Sequence, residues 1–239
     1  MSESMILALV AIGTVLLAAA ILSMSYFVGS KLVGPEATQR NLRYFLPWFG
    51  LVWAIALIIP TVGQWGNFSW SVFALLYVVG VIAWLLSWPL REKAAGHLLL
   101  NAGRSKQSKF IFWVGLFEVG VAAVITWVSV TMLLTFPEET NSFSKITQIL
   151  FWWTVAAFFL AVGLNKLQVR ENGICFMYTF ISWSRMKSYR WEASTPTTLT
   201  IRMKPFLPIL PGYVSIHIPN RYRDEVERIF ETHIPQQSS

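Results

Sequence analysis

Five apolar blocks, at residues 6–28, 44–62, 70–88, 110–136 and 146–164, leave few folds open to this chain. Each has about the 20 residues a helix needs to cross about 30 Å of hydrocarbon at about 1.5 Å per residue. Backbone polar groups in lipid must be satisfied within the segment, so blocks of this length are helices. A soluble core would not need them, because 55% of the 239 residues are hydrophobic and only 13% are charged. The expected fold is a membrane α-helical bundle of five transmembrane helices over residues 1–165. A small α+β domain, mostly antiparallel β, follows over residues 166–239, where the pattern shifts to short alternating runs.

The first block contains Ala18-Ala19-Ala20, where a secretory signal could be cut. Its leading segment MSESM carries Glu3 and no Lys or Arg, and its apolar run exceeds the roughly 7–15 residues of a signal peptide. It therefore reads as a retained anchor. Pro47 and Pro60 are expected to start, kink or break the second helix. Trp48, Trp65, Trp70, Trp84, Trp88, Trp152 and Trp153 fall near expected helix ends, as an interfacial aromatic belt requires.

The net charge of +7 is distributed unevenly. Lys31, Arg40 and Arg43 follow the first block, and Arg91, Lys93, Arg104, Lys106 and Lys109 follow the third. The link after the second block has no basic residue, and that after the fourth has only Lys145. This bias orients the N-terminus outside and the C-terminal domain in the cytoplasm, with an inner membrane expected. The basic excess marks topology and attraction to anionic headgroups, so membrane lipids are expected partners and nucleic acid is not.

No signature of catalysis is present. A single cysteine, Cys175, excludes an internal disulfide and a Cys-rich zinc site, and it reads as a structural thiol in a strand. His97, His217 and His233 are scattered without metal-ligand spacing, and there is no Gly-rich phosphate loop, G-x-S-x-G or H-E-x-x-H. The expectation is a protein that is not an enzyme and has no cofactor and no metal.

Glu118 is the one ionisable residue of the fourth block. Gly115, Glu118, Ala122, Thr126 and Ser129 share a helix face that is small and polar, so the carboxyl is expected to face the bundle interior. Two roles fit that position. One is an ion or proton site; the other is a protonated carboxyl that hydrogen-bonds a neighbouring helix. The absence of further ionisable stations within the other blocks favours the second.

In the C-terminal domain, LQVRENGICFMYTFI reads as two strands around Asn172-Gly173. Ile174, Phe176, Tyr178 and Phe180 would take one face, with Cys175, Met177, Thr179 and Ile181 on the other. Residues 185–192, 198–204 and 213–219 are the next strands, and in the last of them His217 falls on the side expected to face water. A helix over 221–233 follows, with Asn220 as N-cap and Tyr222, Val226, Ile229 and Phe230 as its apolar stripe.

Glu171-Asn172-Gly173-Ile174, Trp183, Tyr189-Arg190-Trp191 and the final helix resemble the pleckstrin-homology-like (PH-like) domains of bacterial membrane proteins. The chain is similar to uncharacterised bacterial, notably cyanobacterial, families in which such a domain hangs from a helical membrane anchor. The resemblance covers about residues 166–234 and implies seven strands, of which five are read here. The first hairpin turn carries Arg170 without a Lys/Arg cluster, which speaks against carrying over phosphoinositide binding from the resemblance.

The segment KPFLPILPGY displays Phe206, Leu207, Ile209 and Leu210 between prolines, flanked by Arg202 and Lys204. Apolar residues in such a loop cap their own core, meet the membrane or bundle, or meet a protein partner. The function expected from the whole is that of a scaffold, or of an assembly or recruitment factor. Its cytoplasmic domain would contact lipid or a membrane protein complex at the bilayer surface. The alternative is a small transporter or channel component using Glu118.

Overall fold

A computed structural model describes residues 3–58, 64–137, 141–204 and 212–234. Helices α1 (Glu3–Val33), α2 (Pro35–Ile58), α3 (Gln64–Leu86), α4 (Trp88–Ala94), α5 (Lys106–Thr135) and α6 (Ser142–Leu164) form the N-terminal part. Among the described residues, four stretches of helix are long and apolar enough to cross a membrane: Leu16–Val33, Trp70–Ala94, Lys106–Thr135 and Ser142–Leu164. The expected second span, 44–62, is not among them. It falls on the later part of α2 and on residues 59–62, which with Pro60 lie outside the described residues. The helix starts earlier than the block because Pro35 pre-sets the first-turn dihedral, so a polar stretch with Glu36, Arg40 and Arg43 precedes the apolar one. Pro47 neither starts nor ends α2 and lies inside it.

Helix α6 is the centre of the bundle, with α5 on one side and α3 on the other. The α5 seam is built from Ser108, Gly115, Ala122 and Ser129, buried at seven-residue intervals. Small residues at this period let two helices come close along a left-handed crossing. A Cβ on Gly163 would overlap the Phe112 main chain, 2.5 Å from its Cα, and one on Gly115 would lie 2.8 Å from the Leu160 nitrogen. The α3 side is aromatic, with Tyr77 against Phe151 at 5.1 Å and Trp84 against Phe158 at 5.5 Å.

The C-terminal part contains two antiparallel sheets and a helix. One sheet has the order β1 (Leu98–Gly103), β2 (Leu167–Arg170), β3 (Gly173–Phe176), β4 (Thr179–Ser182). The other has the order β5 (Met186–Glu192), β6 (Thr195–Met203), β7 (Tyr213–His217). Helix α7 (Arg223–His233) inserts Val226 and Phe230 into a core with Leu167, Val169, Ile174, Tyr189, Leu199, Ile201 and Ile216. Asn220 opens a 3₁₀ turn ahead of α7 instead of capping it.

Seven strands are present among the described residues where five were expected, for two reasons. First, β1 comes from the connection between α4 and α5, read from sequence as a cytoplasmic loop. It pairs with β2, Leu100 opposite Val169, and buries Leu100 and Ala102 in the core. The β domain is therefore discontinuous, and a boundary at 165/166 omits one of its strands. Second, the expected strand over 174–181 turns at Met177-Tyr178, whose φ values of 49° and 61° are both left-handed. Two bulky residues in that region cost roughly 1–2 kcal/mol each. The Tyr178 ring, 4.6 Å from Trp88 and 5.5 Å from Trp84, helps hold the turn, as does Arg91, which donates to the Tyr178 carbonyl. The turn fastens the sheet to α3 and α4, and the alternation expected for Tyr178 and Phe180 ends there.

Candidate functional site

The second sheet has two unlike faces. Tyr189, Leu199, Ile201 and Ile216 belong to the core. Alternation sends Arg190, Glu192, Thr198, Thr200, Arg202, Tyr213, Ser215 and His217 to the other side. That side is not open to water as expected: Glu192, Thr198, Thr200, Ser215 and His217 are all buried. The α1–α2 turn and the first turns of α2 and α5 cover it. Gln107, in the first turn of α5, donates to the Ser215 carbonyl at 2.9 Å and accepts from the His217 amide at 3.0 Å. Arg40 of α2 donates to Glu192 at 3.1 Å. Gly34, at φ 93°, lets the α1–α2 turn close onto the side chain of Thr195, where any Cβ would overlap the Thr195 hydroxyl.

A hydrogen-bonded chain runs across this face. Ser215 and Thr200 are joined through their hydroxyls at 2.9 Å, and Thr200 donates to Glu192 at 2.5 Å. Arg40 and Arg190 flank the carboxylate at 3.1 and 3.5 Å, and Glu36 reaches it from the first turn of α2. Burial alone would push the Glu192 carboxyl up. The Thr200 hydrogen bond and the two guanidiniums outweigh it and hold the group below its usual range. Arg40, Arg190, Thr200, Arg202 and Tyr213 enclose a polar pocket of about 180 Å³.

His217 lies in the same layer, with its Nδ1 enclosed and unpartnered among the described residues. Burial, and then the nearby Lys106 and Lys109, hold the imidazole below its ordinary 6.5. The unfolded chain therefore binds a proton near pH 6.5 that the folded protein refuses. Stability is full above that pH and falls as pH drops through it. Thermal unfolding of the detergent-solubilised protein should show a loss as pH falls through about 6.5 that His217→Asn flattens. An unchanged slope in that variant would assign the effect elsewhere.

The sequence-predicted residues are not gathered in one site. Glu118 is half-buried on α5, beside the buried Gly115 and Ala122, and its Oε2 is enclosed without a hydrogen-bond partner among the described residues. Nearby Thr126 instead accepts from the Trp153 indole of α6 at 3.0 Å. If the carboxyl serves packing, Glu118→Gln should preserve the melting temperature in detergent and Glu118→Leu should cost no more than about 1–2 kcal/mol. Arg202 borders the pocket, and Lys204 donates to the Ser184 carbonyl at 2.8 Å. Phe206, Leu207, Ile209 and Leu210 lie outside the described residues. Cys175 is fully buried, and burial raises its thiol pKa, so it is a packing residue.

A second cavity, apolar and about 510 Å³, lies between α1 and α5. Met24, Val28, Leu32, Phe110 and Ile111 line it, Met177 closes its β end, and Asn41 and Gln107 supply polar edges. Gln107 thus touches both this cleft and the polar face of the sheet.

Residues 165–235 match the family model described as Domain of unknown function (DUF5673). The match spans β2 to β7 and α7 and leaves out β1, which arrives from the helical part. No curated protein and no solved structure matches the chain. The residues that sequence reading overlooked are Arg40, Gln107, Arg190, Glu192, Thr200 and Tyr213. For Arg190, Glu192, Thr200 and Tyr213 the available signal was the polar alternation of β5, β6 and β7, which reads the same whether that face meets water or protein.

Proposed function

We propose that the protein is a non-enzymatic membrane scaffold or recruitment factor. It holds a PH-like domain rigidly against the cytoplasmic surface of an inner membrane, where the domain contacts anionic lipid or a protein partner. One observation carries this reading: the two basic connections and the β domain are a single assembly at one end of the helices. Strand β1 lies between α4 and α5, Arg40 and Gln107 bond to the second sheet, and Arg91 bonds to the first. Lys31, Arg43, Lys93, Arg104, Lys106 and Lys109 belong to the same connections, so the charge bias that favours this orientation of the helices supports a cytoplasmic domain as well. Sheets of four and three strands with a C-terminal helix support the PH-like identity. The apolar cleft beside the domain suits lipid contact.

The helix ends also argue for a fifth crossing. The end of α1 and the end of α3 both meet the β domain, so the start of α3 lies at the far end of the bundle. Helix α2 must then travel the same distance, and its 24 residues reach about 36 Å. Reporter fusions after residues 66, 140 and 239 should read outside, outside and inside. An inside signal at 66 removes α2 as a span.

Hydrogen exchange on the full chain in nanodiscs tests the lipid contact. Adding anionic lipid to a zwitterionic bilayer should protect residues around 188–213, including the segment with Phe206, Leu207, Ile209 and Leu210, and high salt should reverse it. No change on adding anionic lipid would leave the protein-partner half of the reading. The enclosed oxygen of Glu118, unpartnered among the described residues, favours the transporter alternative. Proton flux into proteoliposomes that Glu118→Gln abolishes would establish it; on the scaffold reading there is no such flux.

A further inference from the structure

The pocket between α2 and the second sheet contains more positive charge than its own carboxylates balance. Three guanidiniums, Arg40, Arg190 and Arg202, border about 180 Å³, against the buried Glu192 and the adjoining Glu36. Arg40 turns Nη2 to Glu192 and leaves Nη1 enclosed without a hydrogen-bond partner among the described residues. Its guanidinium lies over the Tyr213 ring, 5.2 Å from the centroid. Tyr213 pairs across the ladder with Arg202. Arg202 is exposed and forms no ion pair among the described residues.

We propose that this pocket binds one phosphate group, a monoester or a diester, between Arg40 and Arg202. A phosphate offers acceptor oxygens in several directions, which suits planar guanidinium forks arriving from a helix and from a strand. Glu192 and Thr200 act as positioning residues. The buried carboxylate anchors Arg40, which also borders the cavity, so the side chain is preorganised there. Arg40 lies early in α2, close to where a cytoplasmic bilayer surface would run, so a lipid headgroup is within reach; a soluble organophosphate carries the same group. The proposal deepens the membrane-surface reading above and rests on it for the lipid source alone.

The test titrates the full chain in neutral detergent with two probes, glycerol 3-phosphate and short-chain phosphatidylglycerol, following thermal stability and calorimetric heat. Arg40→Gln would strip Glu192 of its partner and confound folding with binding, so Arg202→Gln is the informative variant. It should melt like the wild type and lose about tenfold or more in affinity for whichever probe binds, as loss of a charge-assisted hydrogen bond implies. Binding of the ester alone points to a soluble ligand, and binding of the lipid points to a headgroup. If neither probe binds the wild type, or Arg202→Gln binds as tightly, the assignment is overturned. Because these titrations need no bilayer, their failure is separate from a failure of the nanodisc exchange experiment.

Discussion

A fragment spanning residues 166–239 should not fold by itself. Without Leu98–Gly103, β2 becomes a bare edge and the core loses Leu100 and Ala102. Emptying one Leu-sized site costs about 2–5 kcal/mol, and a domain of about 70 residues rarely has more than about 3–5 kcal/mol from its core. The expected spectrum of the fragment is poorly dispersed by NMR and weak in β signal by circular dichroism. Joining residues 97–104 ahead of residue 166 through a flexible linker should restore a dispersed spectrum. A well-folded bare fragment would mean that β1 merely rests on the sheet. The segment that matches the family model, 165–235, has the same omission, so fragments cut to its limits should behave likewise.

Replacing Gly163 with leucine should separate α5 from α6. The position has no room for even a methyl group, because the obstacle is the Phe112 main chain and not a movable side chain. Main chain cannot rotate aside, so both helices must shift, and Gly115 and Leu160 shift with them. Overpacking of a core typically costs about 1–3 kcal/mol, and a rigid obstacle puts this site at the upper end or beyond. Gly163→Ala should already lower the melting temperature in detergent, and Gly163→Leu should abolish cooperative unfolding or prevent recovery of folded protein. A leucine variant that melts like the wild type would refute this close approach.

Hydropathy and local chemistry determined much of this protein. Blocks of about 20 apolar residues must be helices in lipid whatever surrounds them. The small face of α5 follows from its spacing, and Val226 and Phe230 are legible as the buried stripe of α7. These features are local, and a local pattern has one good solution. The tertiary structure decided the rest. LLLNAG carries no signal that distinguishes a loop from a strand, and it becomes β1 because β2 offers it an edge. Met177-Tyr178 lacks turn residues and turns because Trp84, Trp88 and Arg91 anchor it there. The face with Glu192, Thr200, Ser215 and His217 has the alternation of a wetted sheet, and only the docking of α2 and α5 buries it. Alternation states which side chains share a face, and the covering of that face depends on residues more than 100 positions away in the chain, such as Gln107 from His217.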